Sequence, residues 1–202
     1  VRLIAENGHV GLGNIDPSPG YSVETIEQSL GALGADLAGV VQGVDASNIH
    51  EVVARMDAAL TGYLDAKAAI EMACIDLLGR SLGVAVHELL GGAVNRRLSF
   101  NAWIGIVPPD EAAAEARRWF DRGFRSAKIK VGGGIAADRD RVLAVREAVG
   151  PEMALRADAN AGYSVDDAIA LGRLLEPSQM QLLEQPVAEN DLTGMARVRR
   201  SI

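Results

Sequence analysis

The chain has 202 residues, 49% of them hydrophobic, and a formal charge of −7 at neutral pH. That charge makes nucleic acid and anionic membrane poor partners, and the single cysteine rules out an internal disulfide. No apolar run reaches the roughly 18 residues a membrane span needs, so the composition suits a globular, cytoplasmic protein of one or two domains.

In chain order, Val1 to Gly13 reads as a β-hairpin turning at Glu6-Asn7-Gly8, because Asn-Gly favours a tight turn. Residues 23–42 and 49–63 read as amphipathic helices, and 66–80 as a buried one. Cys74 lies mid-helix among Ala73, Ile75, Leu77 and Leu78, which marks it as a packed thiol rather than a nucleophile. A boundary is expected near Gly91-Gly92 to Arg97, dividing the chain into 1–92 and 93–202. A strand over 98–104 follows, carrying Trp103, and Trp119 falls on the helix after it. Next come a strand at Ala127–Val131, a helix over 136–149 and a strand from Ala154 to Asp158. A helix over 165–176 then has Ser164 as N-cap and Asp166 and Asp167 in its first turn. A last short run extends from Met180 to Pro186. Strand and helix alternating about every 25–30 residues predict consecutive βα units with a parallel sheet, an α/β fold. Gly132-Gly133-Gly134 lacks the spaced glycines of a dinucleotide site and reads as a βα loop. His9, His50 and His87 are isolated and read as surface or interface residues rather than ligands.

The chemistry begins at Lys128-Ile129-Lys130, which holds two of only three lysines in the chain. On a strand, i and i+2 share a face about 7 Å apart. Two ammonium groups so placed are expected to ease each other's deprotonation, one route to a lysine base near neutral pH. The strands that follow end in Asp158-Ala159-Asn160 and in Glu184-Gln185-Pro186. In a β/α barrel the C-terminal strand ends form the active face, so Lys128, Lys130, Asp158, Asn160 and Glu184 would converge there. Asp158 and Glu184 are hard oxygen ligands, suited to Mg²⁺ or Mn²⁺, and no His or Cys accompanies them as zinc would want. A divalent ion that takes up carboxylate charge, beside a neutral lysine, makes it feasible to remove the weakly acidic proton on the carbon next to that carboxylate.

Three blocks carry a family resemblance. They are Ala66 to Arg80 closing with Leu89-Leu90-Gly91-Gly92, Gly123 to Gly132, and Asp158-Ala159-Asn160 with Leu183-Glu184-Gln185-Pro186. In this order and spacing the chain resembles the mandelate racemase/muconate lactonizing enzyme group of the enolase superfamily, in its Lys-x-Lys branch. The resemblance implies the N-terminal half of an enolase-type (β/α) barrel, its first four βα units, preceded by part of an α+β capping domain. It implies that Lys130 is the acid/base on one face of a small carboxylate substrate. Lys128 would tune it and contact the substrate carboxylate, Asp158 and Glu184 would be metal ligands for Mg²⁺, and Asn160 would touch the metal shell or the substrate. The family's third carboxylate ligand and its opposing base come from later strands and are carried onto no residue here. The implied activity is racemisation or epimerisation of an amino-acid derivative or dipeptide through an enolate, with cycloisomerisation or dehydration as the runner-up. A homo-oligomer is expected, and a catalytically silent fragment is the competing reading of the 202 residues.

Overall fold

A computed structural model describes residues 1–19 and 21–202. They form two compact units, Val1–Arg96 and Arg97–Ile202.

In the first unit, β1 (Arg2–Ile4) and β2 (Val10–Leu12) pair antiparallel with Leu3 opposite Gly11. The Asn7-Gly8 turn closes the hairpin, with Gly8 at φ +85°, a conformation glycine adopts without steric cost. Helix α1 (Ile26–Gly31) opens on a capping box: the Thr25 hydroxyl accepts from the Gln28 N–H, and the Gln28 side chain accepts from the Thr25 N–H. A π-helical stretch, Ala32–Leu37, leads into α2 (Ala38–Val41). The single helix expected over 23–42 therefore starts later and is underwound to i→i+5 bonding in its middle. Helix α3 (Ile49–Ala59) is capped by Asn48 and stops short of the expected residue 63, where Gly62 at φ +79° turns the chain. Helix α4 (Leu64–Leu82) ends at Gly83 at φ +70°, followed by the single turn α5 (Val86–Leu89). The buried Glu24 carboxylate accepts from the Asp65 and Ala66 N–H groups at 2.8 and 3.3 Å, so a distant side chain satisfies two orphan donors at the start of α4. Leu37, Val52, Met56, Ala66, Ile70 and Cys74 form the core of this unit. Burial pushes the Cys74 thiol up, consistent with a packed rather than a reactive cysteine.

The second unit repeats strand and helix: β3 (Ala102–Ile104), α6 (Pro109–Asp121), β4 (Ser126–Lys130), α7 (Ile135–Val149), β5 (Ala154–Asp158), α8 (Val165–Leu174), β6 (Leu182–Glu184) and α9 (Leu192–Ser201). The four strands are parallel and adjacent in sequence order, β3-β4-β5-β6. Helix starts follow their local chemistry. Pro109 stands in the first turn of α6, the Ser164 hydroxyl accepts from the Asp167 N–H, and the Asp191 carboxylate accepts from the Gly194 N–H. Helix α8 ends at Leu174 rather than 176, and the chain tightens to a 3₁₀ turn at Glu176–Ser178, where Pro177 has no N–H to continue the helix. The strand expected over 98–104 is only Ala102–Ile104. Ala102 pairs with Ala127, so residues before Asn101 lie beyond the start of β4 and have no partner there. Ala127, Ile129, Leu155 and Ala157 alternate onto one sheet face and pack with Ala112, Ala116, Val142, Val145 and Leu171 of the helices. Among the described residues no helix is long and apolar enough to cross a membrane.

Candidate active site

Strand pairing puts the polar residues in rows. Lys130 lies opposite Asp158, and Asp158 opposite Glu184. Two residues earlier, Trp103, Lys128, Arg156 and Leu182 form the next row. Both rows occupy the face that the helices leave uncovered, because the residues between them point into the helix layer.

The side chains meet. The Lys130 Nζ is 2.7 Å from Asp158 Oδ2, and the Lys128 Nζ is 2.9 Å from the same oxygen and 3.0 Å from Glu184 Oε2. One ammonium therefore bridges the carboxylates of two adjacent strands. Asn160 closes the far side: its N–H donates to Asp158 Oδ1 at 3.1 Å, and its side-chain oxygen accepts from Lys130 Nζ. The two carboxylates differ in setting. The Asp158 side chain is 1% exposed and that of Glu184 is 43% exposed, so only Asp158 depends on these partners in place of water. Burial alone would push the Asp158 carboxyl up, but the hydrogen bonds from Lys130, Lys128 and the Asn160 N–H outweigh it and hold it below the ordinary carboxylate range. For Lys128, burial pulls the ammonium down and the bonds to Asp158 and Glu184 outweigh that, leaving it above the ordinary lysine value. The expectation that a neighbouring cation lowers it is thus reversed here, since two carboxylates stand in direct contact with its ammonium.

The backbone after these strands is strained. Asn160, Ala161 and Gln185 adopt φ of 43°, 62° and 39°. Non-glycine residues in this region cost about 1–3 kcal/mol each and persist only where their surroundings hold them. Here the Ala161 N–H donates to Gln185 O at 2.8 Å and the Ala159 N–H to Glu184 O at 3.1 Å, tying the two strand ends together.

Two carboxylates from adjacent strands already converge on one positive charge, and the Asn160 carbonyl oxygen lies beside them. Such an all-oxygen donor set fits a hard divalent cation, with Lys128 as its stand-in. Among the described residues no third His, Cys, Asp or Glu joins the pair. His9, His50 and His87 are all exposed.

Sequence reasoning missed a second polar cluster at the same strand ends. Asp138 is fully buried on the first turn of α7, paired with the buried Arg141 and with the hydroxyl of Tyr163. Its one sequence signal is the Gly132-Gly133-Gly134 run just before it. Tyr163 lies 25 residues further on, and no local pattern connects the two.

Residues 1–91 match the family model of the mandelate racemase/muconate lactonizing enzyme N-terminal domain, and residues 111–202 match that of the enolase C-terminal domain-like fold. The chain is 36% identical to a hydrophobic dipeptide epimerase of Enterococcus faecalis, covering 100% of this chain and 56% of the relative. It is 32% identical to an N-succinyl-L-Arg/Lys racemase of Bacillus cereus, covering 98% of this chain and 54% of that one. Among solved structures, a dipeptide epimerase of Cytophaga hutchinsonii, complexed with Mg and the dipeptide D-Ala-L-Val, superposes with a TM-score of 0.91 at 32% identity, covering 99% of this chain and 54% of that chain. The chain thus spans about half the length of the curated relatives it matches.

Proposed function

The chain belongs to the mandelate racemase/muconate lactonizing enzyme family of the enolase superfamily, and from that premise we propose that the whole protein is a magnesium-dependent racemase or epimerase of an amino-acid derivative or dipeptide. The observation that carries this reading is the row Lys130, Asp158, Glu184 on three adjacent parallel strands, with the Lys128 ammonium bridging the two carboxylates. The names of the relatives support the substrate class: two of them act on a dipeptide or an N-acylated amino acid.

Asp158 and Glu184 are the residues that would hold Mg²⁺, or Mn²⁺ as the other hard cation. When bound, the ion supplies electrostatic stabilisation of the charge that builds on the substrate carboxylate. Lys130 is the base on one face: its neutral amine takes the proton from the carbon next to the carboxylate, the C–H bond breaks, and the electron pair moves into the carboxylate oxygens. Asn160 and Asp158, both in contact with Lys130 Nζ, keep its terminal nitrogen from swinging away. Lys128 offers an ammonium to the substrate carboxylate and adds positive charge where negative charge develops. Inversion is complete when a proton returns from the opposite face. The open face of the sheet, with Trp103 57% exposed in the row of Lys128, leaves an apolar wall beside the charged pair for a substrate side chain.

The test is loss of the α-proton in deuterated water, followed by proton NMR on the full-length protein with Mg²⁺ and a panel of dipeptides and N-acyl amino acids. Wild type should wash the proton out from both antipodes. Lys130→Ala should lose exchange from one antipode only. Full exchange from both in Lys130→Ala excludes Lys130 as the base, and lactonisation or water loss without exchange would replace the racemase reading.

A further inference from the structure

We propose that Asp138 is a positioning residue for the Lys130 base. Its buried carboxylate clamps the loop that follows Lys130 and binds it to the loop that follows Asp158. The proposal rests on the functional reading above and adds to it a residue lying outside the polar rows.

The geometry is specific. Asp138 Oδ2 accepts the N–H groups of Gly132, Gly133 and Gly134 at 2.8, 2.9 and 3.0 Å. The same carboxylate accepts the hydroxyl of Tyr163 and a guanidinium N–H of Arg141. Three consecutive loop amides thus close around one carboxylate. Gly132 and Gly134 lie at φ +112° and +129°, which a side chain would strain. At Gly132 a Cβ would also stand 2.9 Å from the Ala159 carbonyl oxygen, so the two loops touch backbone to backbone. Gly132 begins two residues after Lys130, with Val131 between them held to β5 by its N–H on Asp158 O at 2.9 Å.

Arg141 and Tyr163 carry the clamp to the neighbouring strands. Arg141 donates to Val107 O after β3 at 2.6 Å and to Lys130 O itself at 3.3 Å. The Tyr163 hydroxyl accepts the Gly132 N–H at 3.0 Å, and the Tyr163 N–H donates to Pro186 O after β6 at 3.1 Å. Asp138, Arg141 and Tyr163 together therefore join the segments after all four strands, the last through the Tyr163 backbone N–H, and one bond of the Arg141 guanidinium ends on the backbone of the base. A buried carboxylate with five donors has little freedom. Misplacing a reacting group by about 1 Å costs on the order of a hundredfold in rate. That is the means by which residues outside the reacting row would set the reach of the Lys130 Nζ.

Two variants of the full-length protein test this. Tyr163→Phe removes one donor and keeps the ring in place. Asp138→Asn removes the charge and is the harsher change. Amide hydrogen exchange at Gly132–Gly134 reads the clamp without any turnover, and α-proton exchange kinetics read its consequence. In Tyr163→Phe the three amides should exchange at least about tenfold faster, and kcat should fall about tenfold or more with KM and Mg²⁺ affinity unchanged. Asp138→Asn should show the same split, larger. In the double variant the losses should be less than the product of the singles, since both act through one carboxylate. Protected glycine amides in both variants would overturn the proposal. Deprotected amides with wild-type kcat would overturn it too, leaving a purely structural cluster. If wild type itself exchanges no α-proton, the functional reading fails on its own. The clamp is then decided by crystal structures of the variants, where the Lys130 Nζ to Asp158 distance should move out of hydrogen-bond reach. An unmoved Lys130 Nζ would overturn the proposal.

Discussion

Asp158 is a carboxylate almost without water that holds the terminal nitrogens of both lysines on one oxygen. It is the site residue whose replacement should cost most, because neutralising it removes the partner of both lysines and one of two hard oxygen donors. Asp158→Asn in the full-length protein should weaken Mg²⁺ binding by more than about tenfold, measured by titration calorimetry. Glu184→Gln should weaken it less, since Glu184 is half open to water and its loss strands no buried group. Unchanged affinity in Asp158→Asn would remove that residue from the ligand set. Asp138 makes a separate prediction with pH. Burial pushes its carboxyl up, but the bonds from Tyr163, Gly132 and Arg141 outweigh that and hold it below the ordinary carboxylate range. Its folded-state pKa is thus depressed. The stability it confers is present above the unfolded value and is lost as pH falls through the folded one. Urea midpoints of wild type and Asp138→Asn should therefore differ most near neutral pH and converge in acid. A gap that stays constant down to the acid limit would mean the charge of Asp138 does not stabilise the fold.

At the level of elements, hydrophobic alternation was the clearest guide. Ala127 and Ile129 against Lys128 and Lys130 separate the buried from the polar face of β4 over a five-residue strand. The Ser164 cap likewise marked the start of α8 from local chemistry alone. What the sequence concealed is long-range. Where β3 begins depends on where β4 begins, and the start of α4 is satisfied by Glu24, 41 residues away. The Asp138–Tyr163 pairing joins two loops through one carboxylate, which no single segment displays. The close approach of β2 to α4 is of the same kind. A Cβ on Gly13 would fall inside contact of the Ala69 carbonyl oxygen and 2.8 Å from the Ala73 nitrogen, and one on Gly11 would strike the Ala73 carbonyl oxygen. Both neighbours are helix backbone and cannot step aside. Gly13→Ala should accordingly destabilise the first unit by about 2 kcal/mol or more, read as a lower urea midpoint with unchanged slope. Wild-type stability in that variant would show that the hairpin slides off α4 at no cost.

At the scale of the whole chain, the residues the resemblance implies, Lys130, Asp158 and Glu184, each end a strand, and parallel register sets them side by side. The electrostatics could not be read the same way: which cation meets which carboxylate depends on side-chain reach, and Lys128 proved to be the bridge. The sheet also has two ends. Among the described residues β3 and β6 each pair on one side only. Strand β3 is Ala102-Trp103-Ile104, with no charge or proline to discourage a further strand, and Leu98, Phe100 and Ile106 beside it are exposed. Leu182 on β6 is exposed as well. A polypeptide of residues 1–202 expressed alone should therefore associate through these edges. Light scattering should give a mass above the 21.3 kDa of one chain that grows with concentration. Trp103→Lys, which places a charge on β3 on the sheet face that the helices leave uncovered, should lower that mass at equal concentration. A monodisperse monomer across the range, or association indifferent to Trp103→Lys, would show that the β3 edge does not template strand pairing.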